Sequence, residues 1–183
     1  TMAKSEQVFS QEAERTRGKQ AQHLNIQAGI AVAEAIKSTL GPRGQDKLIM
    51  DVNGNVVVTN DGVTILREMQ IEHPVGKMMV EVAKQQESTV GDGTTTCIIL
   101  AGQLLEKAES LIAKGIHPNI ITKGYRLAER RAQEILNTIA QPITIKDVDL
   151  LKKIIHTAMT GKGAESHSDI LSDLIIQAVQ YVG

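Results

Sequence analysis

Apolar residues recur every three or four positions over most of the chain, the period of a helix with one buried face. The first such stretch covers residues 19–40, with Ile26, Ile30, Ala33, Ile36 and Leu40 in step. Behind Pro74 comes a second stripe of Val75, Met78, Met79, Val82 and Ala83. A third carries Ile98, Ala101, Leu104, Leu105, Ala108, Leu111 and Ile112, and Gly115 ends it. Pro118 opens a fourth, with Ile121, Tyr125, Ala128, Ala132, Ile135, Leu136 and Ile139 on one face. Arg126, Glu129, Arg130, Arg131 and Glu134 on the other face predict a solvated surface. Proline suits a first helical position, where its missing N–H is not needed. Two further helical stretches follow, one with Val148, Leu151, Ile154, Ile155 and Ala158, one with Ile170, Leu171, Leu174, Ile175, Ala178, Val179 and Val182. Thr144 and Asp147 have capping-box spacing ahead of the first of these.

The pattern changes in one place only. Lys47-Leu48-Ile49-Met50 and Val56-Val57-Val58-Thr59 are β-prone runs on either side of Asn53-Gly54, which predicts a hairpin. Two strands alone are marginal in water, so this hairpin calls for a partner strand from elsewhere in the protein or from another subunit. Asn60-Asp61-Gly62 closes it, and Val63-Thr64-Ile65-Leu66 begins a short helix. Before residue 18 the chain is polar apart from Val8 and Phe9, and reads as an arm received by something outside it.

Composition adds boundaries. A chain of 183 residues with 42% hydrophobic residues supports one core, and with 2% aromatics that core is aliphatic. The 20 basic and 21 acidic residues give a net charge of −1, so neither nucleic acid nor an anionic membrane is an expected partner. The single Cys97 has no internal partner, which suits a reducing compartment. There is no long apolar run to span a membrane and no apolar signal core at the N-terminus, so a cytoplasmic location is expected. His23, His73, His117, His156 and His167 are scattered without metal-ligand spacing.

The candidate chemistry centres on Gly91-Asp92-Gly93-Thr94-Thr95-Thr96, between two helical patterns. Free N–H groups and the helix dipole at the start of the second helix suit a phosphate. Asp92 fits if a divalent cation such as Mg²⁺ bridges it to phosphate oxygens. An ordinary turn ahead of a threonine helix start is the competing reading. Gly41-Pro42-Arg43-Gly44 is either a helix stop or a second phosphate contact. Asp61 is either a turn residue or a second carboxylate facing Asp92. Thr160-Gly161-Lys162-Gly163 sets a cation on a hinge. The chain contains no GxxxxGK[ST] loop, and residues 91–93 do not continue as GxGxxG, so neither the P-loop nor the dinucleotide-binding arrangement applies.

These stretches, taken together, resemble the group II chaperonins: the archaeal thermosome and its eukaryotic cytosolic relatives. The resemblance rests on residues 38–47, 58–66 and 91–96, on His117-Pro118 with Lys123-Gly124-Tyr125, and on residues 160–165, in the family's order. It implies an ATP-driven protein-folding machine of two stacked rings. Leu40, Gly41 and Pro42 resemble the loop lining the nucleotide phosphates, and Gly93, Thr94, Thr95 and Thr96 the phosphate-binding helix start. Asp92 resembles the Mg²⁺ ligand, and Asp61 the acidic residue near the terminal phosphate and attacking water. Lys162, with Thr160 and Gly161, resembles the loop that senses the terminal phosphate. The arm and hairpin resemble elements that pair between sister subunits in a homo- or hetero-oligomer.

The expected fold is therefore mainly α. Residues 1–143 would form the N-terminal half of a chaperonin equatorial-domain helical bundle with one β-hairpin, and residues 144–183 the outgoing helical part of an intermediate domain. The apical domain, which takes unfolded client proteins in the family, and the C-terminal halves would be absent. So would the returning catalytic Asp, and the chain alone is expected to hydrolyse ATP slowly or not at all. The rival expectations are a non-enzymatic oligomerisation module and a small nucleotide-responsive regulator.

Overall fold

The structure is a computed structural model that describes residues 16–50 and 54–182. Its described residues form seven α-helices and one two-stranded antiparallel hairpin. The predicted arm and the hairpin turn at residues 51–53 lie outside the described residues, the former from residue 15 back.

Helix α1 (Gly18–Lys37) buries Ile26, Gly29, Val32, Ala33 and Ile36, all on one stripe. It packs lengthwise on α4 (Thr94–Ala113), its most extensive partner. Glycine makes that approach close. A methyl group at Gly102 would overlap Ala33 Cβ, and one at Gly29 would overlap Leu105 Cδ1. Helices α2 (Gly62–Glu68) and α3 (Pro74–Val90) close the cluster, with Val63, Ile65 and Leu66 from α2 and Met79, Val80 and Ala83 from α3. Ile36, Ala83 and Ile98 are fully buried at its centre. The core is aliphatic, as the composition requires.

The hairpin pairs β1 (Lys47–Met50) with β2 (Val56–Thr59) in the register Leu48↔Val58, Met50↔Val56. Ile49 packs against the core cluster. Alternation turns Leu48, Met50, Val56 and Val58 outward, all more than half exposed, and no third strand covers them among the described residues.

Beyond α4 the packing thins. Helix α5 (Pro118–Ile139) buries only Ile121, near its start, and holds to α4 through the Tyr125 hydroxyl, which donates to Leu104 O at 2.6 Å. Its predicted apolar face from Ala128 on, including Ile135, Leu136 and Ile139, is exposed. Helices α6 (Val148–Met159) and α7 (Ser168–Val182) pack on each other around Met159, Ser172 and Ile176, with Lys152 paired to Asp173.

Several element boundaries move from their predicted places. Helix α1 ends at Lys37, ahead of the Gly41-Pro42 stop, because Thr39 and Leu40 turn back onto Ile36 O and Lys37 O. The Thr144–Asp147 spacing forms a turn rather than a capping box. Asp147 Oδ2 accepts from Thr144 N and Oγ1, which holds its carboxyl below the usual range, and α6 starts only at Val148. In α3, Val80 takes an inward place, while Met78 and Val82 face out.

Candidate functional site

The phosphate-suited stretch is a tight link between two helices. Gly91 caps α3 with φ 75°, and Gly93 precedes α4 with φ 78°, backbone values that favour glycine. Asp92 sits between them, exposed. Its Oδ1 accepts from Gly93 N at 2.7 Å, and its main-chain oxygen accepts from Gln86 Nε2 at 2.9 Å. The other carboxylate oxygen has no partner among the described residues. The first helical bond of α4 runs from Cys97 N to Gly93 O, so the N–H groups of Thr94, Thr95 and Thr96 stay free of intrahelical acceptors.

Asp61 is both a helix cap and a cleft residue. It caps α2, its Oδ2 accepting from Thr64 N at 2.9 Å and Thr64 Oγ1 at 2.7 Å. It also lines the same cleft as Asp92. The segment is held close to α4, since a methyl group at Gly62 would overlap Thr95 Oγ1.

The loop after α6 reaches the loop after α1. Gly161, with φ 75°, lies so near Pro42 that an added methyl would overlap Pro42 O. Its N–H donates to Glu165 Oε2 at 2.9 Å, and the Thr160 hydroxyl donates to His156 O at 2.9 Å. Lys162 is exposed and pairs with no carboxylate among the described residues.

These four segments surround one cleft of about 730 Å³. Leu40, Gly41, Pro42, Asp61, Asp92, Gly93, Thr94, Thr95, Thr96, Thr160, Gly161 and Lys162 all line it. The volume is in the range of small-molecule sites. Sequence reasoning missed Thr39, Ile154, Thr157 and Ala158, and took Asn60 only as part of the 60–62 stretch and not as a site residue in its own right; all five line the cleft. Ile154 and Ala158 were expected in a buried stripe. They form a cleft wall instead, Ile154 being 51% exposed, and the signal available was their helical step to Thr157 and Gly161.

Among the described residues no group of three or more His, Cys, Asp or Glu side chains converges to hold a metal. Mg²⁺ does not require such a cage, since it commonly takes one or two carboxylates plus phosphate and water oxygens. The free oxygen of Asp92 beside the open N–H groups of α4 fits that mode of binding.

Fold and cleft define a mainly α protein with a glycine-bounded helix start opening into a single groove. The chain belongs to the TCP-1/cpn60 chaperonin family, whose profile matches residues 32–183. It is 53% identical over 96% of its length to a thermosome subunit alpha of Archaeoglobus fulgidus, covering 32% of that protein. It is 57% identical over 90% of its length to a thermosome subunit of Methanopyrus kandleri, covering 30% of that one. The chain thus spans about a third of the length of the relatives it matches. No described helix is long and apolar enough to cross a membrane.

Proposed function

We propose that the cleft binds Mg-ATP and that the chain is the nucleotide-binding portion of a cytoplasmic chaperonin subunit. In this reading nucleotide occupancy drives a conformational cycle that folds unfolded client proteins, and the subunit works among sister subunits in a double ring. The observation that carries the reading is the convergence of residues 40–42, 61, 92–96 and 160–162 on one cleft from four separate loops. Donors and acceptors there are complementary to a metal–phosphate group. The N–H groups and hydroxyls of Thr94, Thr95 and Thr96 donate to phosphate oxygens, with Gly93 leaving the backbone room to approach. The Gly41–Pro42 turn borders the same phosphates. Asp92 would hold the metal, which neutralises phosphate charge and fixes phosphate geometry when bound. Asp61, with one oxygen committed to Thr64, keeps the other to orient a water. Lys162, which lines the same cleft, brings a positive charge to the outermost phosphate.

A second reading, an oligomerisation module without nucleotide function, draws on the outward Leu48, Met50, Val56 and Val58. One experiment separates the two. Calorimetric titration with ADP and with a non-hydrolysable ATP analogue, each with Mg²⁺, should show binding that Asp92→Ala weakens at least ~100-fold, by loss of the metal link. Absence of nucleotide affinity in the unaltered chain would sink the first reading and leave the second.

A further inference from the structure

Asp92 lies between two glycines, both with left-handed backbone values, in a link of three residues between α3 and α4. Glycine takes φ of either sign, so backbone preference alone does little to hold such a link in one shape. A side chain from outside the cleft supplies the hold. Gln86 is half-buried, one turn before the end of α3, and is not among the residues that line the cleft. Its Nε2 donates to Asp92 O at 2.9 Å. No other side chain from outside residues 91–93 bonds to them among the described residues.

This bond reaches the carboxylate through one peptide group. The peptide between Asp92 and Gly93 accepts from Gln86 at its oxygen and donates from its N–H to Asp92 Oδ1 at 2.7 Å. A peptide group is planar, so holding both edges fixes its rotation. A donor on the carbonyl also polarises the group and makes the same N–H a stronger donor. The turn of α3 that carries Gln86 is itself well seated. Ala83 is fully buried in the core cluster, and Glu87 pairs with Arg67 of α2 at 2.6 Å.

We propose that Gln86 is a positioning residue for the metal link. By holding the Asp92 carbonyl it keeps Asp92 Oδ1 on Gly93 N and leaves the other carboxylate oxygen available to a divalent cation. Gln86 touches neither cation nor nucleotide. The inference rests on the nucleotide reading above and deepens it.

The test separates the cation's share of nucleotide binding from the rest. ADP affinity is measured by calorimetry on the full chain in excess Mg²⁺ and in excess EDTA, and the ratio of the two is compared between variants. Gln86→Ala should lower that ratio ~10-fold, the size expected for a lost partner behind a metal ligand, and leave the affinity in EDTA within ~2-fold. Gln86→Glu, nearly isosteric but with no donor at neutral pH, should lower it at least as far. It carries the same comparison if Gln86→Ala loses its helical circular dichroism. Equal losses with and without Mg²⁺ would mark Gln86 as merely structural and overturn the assignment, as would no loss in either variant, and both would leave the nucleotide site intact. ADP binding to the unaltered chain that does not depend on Mg²⁺ would overturn it as well. An unaltered chain that binds no ADP under either condition would overturn the nucleotide reading too.

Discussion

The α1–α4 unit and the α5–α7 unit solve the problem of burying an apolar stripe in different ways. In the first, four helices share one cluster, and glycines at 29 and 102 let α1 and α4 pack closely. In the second, α5 leaves its stripe largely uncovered, and α6 and α7 bury a few residues against each other. The cleft lies between these regimes. Its phosphate-suited floor, the start of α4, belongs to the dense unit, whereas Ile154, Thr157, Ala158 and Lys162 come from the sparse one. The cleft thus joins a densely packed floor to a wall whose own packing is thin.

The largest effect should come from breaking the dense side. Ile98→Ala empties a fully buried position and should cost about 2–5 kcal/mol in urea unfolding. Ile135→Ala on exposed α5 should stay within about 0.5 kcal/mol. Equal losses would erase the contrast. A smaller and more local effect is expected where the two units touch. Gly161→Ala adds a methyl against Pro42 O at a positive φ, at about 1–3 kcal/mol of strain. Hydrogen exchange in residues 160–163 should rise, with α1 and α4 unchanged; protection lost evenly across the chain would contradict a local contact.

The smallest effect is electrostatic. Glu109 on α4 takes a hydrogen bond from Gln27 at 2.7 Å and lies 2.6 Å from His23 Nδ1, both on α1. The Gln27 bond, with His23 adding to it, holds the Glu109 carboxyl below its ordinary value. A lowered folded-state pKa contributes stability that is present above the unfolded value of about 4.3 and lost as pH falls through the folded one. Glu109→Gln should therefore flatten the loss of stability below about pH 4.3, read from thermal unfolding at several pH values. An unchanged acid limb would remove the pair from the account.

The ends of helices were the most legible feature of the sequence, since local chemistry decides them. Pro74 and Pro118 open α3 and α5, Gly91 closes α3, and Gly115 follows α4. The loops around the cleft were legible for the same reason, as glycine, proline, aspartate and threonine each carry a local geometric preference. What covers an apolar stripe is a tertiary fact that periodicity does not encode. Leu40, Ile154 and Ala158 fitted helical stripes yet line the cleft, and the α5 stripe fitted as well but is mostly open. Asn60 was read only together with its neighbours in the 60–62 stretch, because a loop asparagine looks the same in sequence whether its amide is engaged or free. The imidazoles of His73 and His117 also went unread, although their Nδ1 atoms accept from Val75 N and Asn119 N at the two proline helix starts.

Helix α4 begins at the cleft floor and runs 20 residues to Ala113, about 30 Å at the usual rise per residue. Because Gly102 is pressed against Ala33, α1 has little freedom to slide along it. The two helices make a stiff rod with one end at the glycines and threonines of the site. A tilt of about 5° there would swing the far end by about 2.6 Å, given that rise. That end leads directly into α5, so a small adjustment at the cleft arrives at the open helix as a displacement nearly the width of an atom.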